Sequence, residues 1–306
     1  MLSQSKARFL LFTTIILCCL WSNSALAQVI GDIKVSYEPG RDGEYIFYAF
    51  NSIPKDTHIV VVFNTGLNQW RPDAPLPYQK TISTGKVRLF KVSPIGTSQP
   101  RFDYRYYFYN GVGNPKIKDV EYAIPGAEDE AVLVRGITEP TSHPDKEGGY
   151  SDYYGVGFYS NDIRSTRDGQ IRTIRVVPGD PQKSFIQVRH RDGTVGNYYG
   201  AVNGTLTVNE DQFVKAGEVM AKAGMKSRDG TLYFNFSVSY MKVVVNKDLD
   251  SREWASNRYL IPLFRTVNEE KVRLKRNVGY TASYPDELIT QEMSKREKKR
   301  YLKGKG

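Results

Sequence analysis

Cysteine and histidine are scarce: the chain has two cysteines and three histidines in 306 residues. Cys18 and Cys19 both lie in the apolar stretch near the first residue. Once that stretch is removed, the chain can form no disulfide framework, thiolate nucleophile or cysteine-held metal site. His58, His143 and His190 stand far apart in sequence, which leaves little imidazole for metal or acid–base chemistry. No Gly-x-Ser-x-Gly elbow offers a serine nucleophile instead. Past residue 27 there is no apolar run long enough to span a bilayer as a helix. Extended helical periodicity is missing too, apart from one candidate near the end of the chain.

The first residues do carry a pattern. Lys6 and Arg8 precede the apolar run Phe9 to Trp21, and Ala25-Leu26-Ala27 follows. A basic start, a short apolar run and a small-x-small site predict a secretory signal peptide over residues 1–27, cleaved near Ala27. An uncleaved anchor is the alternative. The expected location is periplasmic or secreted, and the mature chain must be held together by its core.

The formal net charge is +10. Ser294 to Gly306 (SKREKKRYLKGKG) holds seven Lys/Arg against Glu297, a net +6, and Lys6 and Arg8 leave with the signal segment. The rest of the chain is therefore close to balanced. The basic tail could touch an anionic envelope surface or polymer. The simpler expectation is a solvated, frayed C-terminus. Without a patterned basic fold, nucleic acid is not an expected partner.

From Val29 to about Pro125, β-branched and aromatic runs alternate with Pro, Gly, Asn and Asp. They include EYIFYAFN (44–51), HIVVVFN (58–64), VRLFKV (87–92) and FDYRYYFYNG (102–111). This reads as a small β-sandwich over 28–130, of immunoglobulin-like kind. The tyrosines of YRYYFY (104–109) could stack on sugars, but such a run is more commonly a strand with large residues on both faces. Residues 131–149, rich in Gly, Pro, Glu and Asp, read as a connector. A second β unit follows over 150–270, then an extension, 271–306. EKVRLKRN (270–277) is expected as a last pairing segment and Asp286 to Leu302 as the one helix. The fold class is all-β.

In the second unit, GTLYFNFSVSY (230–240) alternates strictly: Leu232, Phe234, Phe236 and Val238 against Tyr233, Asn235, Ser237 and Ser239. One face belongs in a core and the other is open. Around it lie YYGVGF (153–158), RDGQI (167–171), VRHRDGTVGNYYGAV (188–202) and VKAGEVMAKAG (214–224). Taken in order, these blocks resemble the lysostaphin-like or LytM-type zinc endopeptidases, which cut cell-wall peptides. That resemblance implies a compact antiparallel β fold with an open groove.

The resemblance also implies where the family's chemistry would sit. Its zinc ligands correspond to Tyr153, Gly157 and Asn235, and its two assisting histidines to Gly200 and Tyr233. Alternate residues on a strand lie about 6.6 Å apart on one face, close enough for two imidazoles to converge on an ion. Here two phenols, an amide and two glycines stand at those positions, poor or absent zinc donors. Catalytic residues are therefore expected to be none and zinc to be absent. Tyr153, Tyr199, Tyr233 and Asn235 are expected to line a binding groove.

His143 in the Ser142-His143 pair is a weak alternative metal ligand, with Asp145, Glu147 and Asp152 nearby. His190 reads as structural and His58 as a surface or edge residue. The leading expectation is an inactive peptidase homologue that binds peptidoglycan or a cell-wall hydrolase, as the amidase activators within that family do. The alternatives are a peptidase with a zinc site rearranged around His143, and a glycan-binding or adhesive β-sandwich.

Overall fold

The computed structural model describes residues 33–65, 67, 69–96, 102–246 and 250–304; the expected signal segment lies outside them. The fold is all-β apart from short helical segments, and the chain divides into two compact units.

The smaller unit takes in residues up to Asp56 together with Phe63–Pro75 and Ile82–Asp103. Its sheet runs Ile33–Pro39, Tyr45–Asn51, Gly85–Pro94 and Trp70–Pro72, all antiparallel. Alternation along Tyr45–Asn51 buries Phe47 and Ala49 completely. Phe47 stacks on Phe90 at 4.7 Å, and Phe63 and Phe102 close round it edge-on, so an aromatic cluster forms this core.

Residues 57–62, 76–81 and everything from Tyr104 onward form the larger unit. Strand Thr57–Thr65 pairs between Tyr78–Ile82 and Asp103–Asn110. His58 is buried there, contrary to the expected surface or edge position. Its ring lies 3.0 Å from Thr81 Oγ1 and 3.2 Å from Gln79 Oε1, which satisfies both nitrogens. Burial lowers its pKa. On Asp103–Asn110 large residues occupy both faces: Tyr107 meets Trp254 edge-on at 4.7 Å, while Phe108 stays half exposed.

The main sheet is organised by one long strand, Leu232–Val243, which pairs with Val195–Tyr199 on one side and Gly155–Tyr159 on the other. Beyond these lie Phe185–Arg189, Gly169–Arg175 and Phe213–Val214 on one flank, and Ala131–Thr138 and Gly279–Thr281 on the other. Phe234, Phe236 and Val238 are fully buried, as the alternation requires, among Phe158, Ile171, Tyr198 and Phe264. The opposite face is more enclosed than expected. Ser237 is fully buried and Tyr233 only 8% exposed.

Three expectations along the chain are corrected. The stretch read as a connector contains the strand Ala131–Thr138, whose Val132 and Val134 enter the core. EKVRLKRN makes no strand, only a single bridge from Val272 to Phe264. The expected helix is broken into Asp286–Thr290 and Lys295–Lys303, so the described part of the basic tail is helical. Ser294 and Glu297 form a complete capping box at the start of the second piece. Glu297 also takes both Nη groups of Arg191 at 2.8 and 2.9 Å. Arg191 Nη1 donates to the Glu292 carbonyl, and Gln291 bonds both backbone groups of Glu121.

Buried charge completes that anchorage. Arg167, 2% exposed, meets Asp192 at 3.0 Å and Glu292 at 2.6 Å and donates to the Tyr122 hydroxyl at 3.1 Å. His190 lies beside them, its Nδ1 2.9 Å from the Asp168 carbonyl. An acceptor at that distance fixes the proton on Nδ1, and Nε2 is left without a partner.

Candidate functional site

The candidate site lies on the Tyr233/Asn235 face of the long strand. Asn235 pairs with Gly157 on one neighbouring strand and with Tyr199 on the other, and Gly157 in turn faces Gly136. Four strands thus bring residues far apart in sequence into one row. At its Gly157 end the surface sinks into a cavity of about 280 Å³. Tyr153, Gly157 and Asn235, the three positions matched to zinc ligands, all line it, together with Arg135, Arg276, Gly155 and residues 136–138.

The absence of side chains at Gly136 and Gly157 leaves room for the cavity. A Cβ on Gly157 would stand 3.0 Å from Asn235 Oδ1. Nearby, a Cβ on Gly155 would overlap the Tyr153 phenol, so that glycine is what lets the ring fold back over the strand. Tyr259 packs edge-on against the same ring at 5.2 Å. Burial, with Tyr199 beside it, pushes the Tyr153 hydroxyl up to about 12. At neutral pH it is a protonated phenol.

Arg135 owes its position to an irregularity. Along the pairing of Ala131–Thr138 with Gly155–Tyr159, Gly157 faces Gly136 but Phe158 faces Val134. Arg135 is therefore the extra residue of a β-bulge, a device that re-aims a side chain. Its guanidinium lies 3.9 Å from the centroid of the Tyr233 ring. Arg276 enters from the next segment, held by two backbone bonds: the amide of Asn277 donates to the Val134 carbonyl, and the amide of Val134 to the carbonyl of Val278. Sequence reasoning missed both arginines. Single arginines outside a motif carry no signal until a register places them.

The remaining expected positions separate from this cavity. Gly200 is buried with φ +113°, a conformation that L side chains rarely adopt, and packs against Met225. Glycine there meets a backbone need. Tyr233 lies under Arg135, and Tyr199 continues the row toward Phe185. A ladder of neutral groups, Gln187 to Asn197 at 2.9 Å and Asn197 to Ser239 at 3.0 Å, extends along the same face.

His143 sits on an exposed loop, and its acidic neighbours are engaged elsewhere. Asp152 accepts from the Thr141 hydroxyl and amide and from the Ser142 amide, bonds that hold its carboxyl below the usual range. Asp145 takes the Gly149 amide and the Tyr240 hydroxyl, while Glu147 pairs with Lys242 at 2.6 Å. Among the described residues, no group of three or more His, Cys, Asp or Glu is arranged to hold a metal ion. The cavity's own donors do not fit zinc either. They are a neutral amide, a protonated phenol and a glycine, with two guanidinium cations where a cation would have to enter.

No family model and no curated protein matches the chain. Solved structures do. A chain of the SpoIIQ–SpoIIIAH pore-forming complex is 20% identical over 40% of this chain and 85% of its own, with TM-score 0.30. The deep-sea M23 metalloprotease pseudoalterin is 14% identical over 55% of this chain and all of its own, with TM-score 0.29. A zinc-containing peptidase from Vibrio cholerae is 13% identical over 70% of this chain and 84% of its own, with TM-score 0.26. The chain is thus similar to M23, LytM-like structures, and carries Tyr153, Gly157 and Asn235 where its sequence resemblance to that family places the zinc ligands.

Proposed function

We propose that this is an exported, catalytically inactive LytM-like protein of the cell envelope, periplasmic or secreted, that works without zinc. In this reading it binds peptidoglycan or a cell-wall hydrolase and acts as a regulator or scaffold. One observation carries the proposal: Tyr153, Gly157 and Asn235 meet in a single cavity, and the charged groups there are arginines. A hydrolytic zinc needs about three anionic or imidazole ligands and an open position for water. This cavity supplies neither carboxylate nor imidazole, yet it remains a concave, polar cleft. The expected location also accords with the sequence pattern of residues 1–27, and no helix among the described residues is long and apolar enough to cross a membrane.

The test is co-sedimentation with purified wall sacculi, run beside affinity recovery of envelope proteins on the immobilised protein. The expected result is specific retention on sacculi, or recovery of a wall hydrolase whose activity changes on binding. In both cases the protein alone releases no wall fragments. Fragment release that stops on chelation would overturn the reading.

A further inference from the structure

We infer that the cavity is a carboxylate-binding subsite, in which the guanidinium groups of Arg135 and Arg276, with the Asn235 amide beside them, hold the carboxylate of a short peptide. The inference rests on the reading of this cleft as a binding site, and goes further by assigning the chemical class of its occupant.

Charge is the first support. The cavity is lined by two arginines and by no acidic residue. Among the described residues, neither arginine meets a carboxylate within ion-pairing distance. Arg273 on the same segment as Arg276, by contrast, is paired with Glu139 at 2.9 Å. Two cations converging on one concavity repel one another unless an anion lies between them.

Geometry is the second. The Arg135 guanidinium carbon sits over the Tyr233 ring, 3.9 Å from its centroid, and that contact leaves N–H groups to meet a ligand. Such groups match the two oxygens of a carboxylate, and the ring contact orders the guanidinium before a ligand arrives. The β-bulge at Arg135 is backbone evidence for the same placement, since a regular ladder would pair this residue.

Size is the third. A volume of about 280 Å³ falls just below the range of about 300–1,000 Å³ usual for small-molecule pockets. It suits the end of a peptide or one acidic side chain, not a length of chain.

The experiment is an amide chemical-shift titration of the purified protein with three probes. These are acetyl-alanyl-alanine with a free carboxylate, its C-terminal amide, and acetyl-glutamate amide, whose carboxylate is on the side chain. The expected result is saturable shifts at Gly136, Ile137, Thr138 and Gly157 with a carboxylate probe and none with acetyl-alanyl-alanine amide. The two carboxylate probes distinguish a chain terminus from a side chain as the source. Arg135→Gln and Arg276→Gln should each weaken binding about tenfold or more, as expected for lost charged hydrogen bonds.

The acid–amide contrast is read on the unaltered protein, so it decides even if a variant fails to fold. Equal binding of the amide, or no carboxylate-dependent shift at tens of millimolar probe, overturns the inference. If sacculi or a hydrolase are still bound in that case, the proposed function stands and only the carboxylate assignment falls.

Discussion

His190 should make the larger unit acid-sensitive. The imidazole is 2% exposed, and burial, reinforced by the neighbouring Arg167 guanidinium, lowers its pKa from 6.5 to about 3. In the unfolded chain it titrates near 6.5. Between those two values the unfolded state binds a proton that the folded state refuses. Its contribution to stability is therefore complete above about pH 6.5 and is lost as the pH falls toward 3. Each pH unit within that window costs about 1.4 kcal/mol. Moving from pH 7.5 to pH 5 crosses about 1.5 units of it, a loss of roughly 2 kcal/mol. For a unit of this size that is a fall in Tm of about 4–8 °C. Asp192 is held below its usual range beside Arg167, so its own titration falls below this interval. The assay is thermal melting at both pH values for the unaltered protein and for His190→Gln, which can still donate to the Asp168 carbonyl. The variant should lose most of the pH-dependent difference, whatever its absolute stability. Equal pH-dependent shifts in the two proteins would mean that His190 is not the group responsible.

Other outcomes follow from the same geometry. Arg167→Met strands Asp192 and Glu292 and should destabilise the larger unit by about 3–5 kcal/mol, measured by urea unfolding. Gly200→Ala forces a residue with a Cβ to φ +113° and should cost about 1–3 kcal/mol in the same assay. His143→Ala, on an exposed loop, should change neither Tm nor metal content. Combining Tyr153→His, Gly157→Asp and Asn235→His should create zinc binding detectable by calorimetry. Adding Arg135→Ala should tighten it by removing the opposing cation. Failure of both multiple variants to take up zinc would show that the three positions do not converge as described.

Much of the fold was legible because local pattern and tertiary role agreed. The alternation of Leu232 to Val238 marked both the strand and its core face, and Phe234, Phe236 and Val238 are fully buried. The strand Ala131–Thr138 was obscured by the Gly, Pro, Glu and Asp on either side of it, although Val132 and Val134 alternate as core residues do. In the tail, seven basic residues outweighed the Ser294/Glu297 capping pattern, and the anchors at Arg167 and Arg191 lie more than a hundred positions away. His58 was misjudged because its partners, Gln79 and Thr81, come from a different strand. At the site, the resemblance located Tyr153, Gly157 and Asn235, which do share a cavity. It could not reveal Arg135 and Arg276, since a bulge and a cross-strand register are long-range facts with no local mark.

Metal content and wall cleavage, measured on one preparation of the protein purified with zinc present, distinguish an inert cleft from a peptidase. A cleft without zinc ligands should leave far less than one zinc per chain and release no soluble fragments from sacculi. One tightly held zinc per chain, with cleavage that disappears when the ion is removed, would contradict an inert cleft.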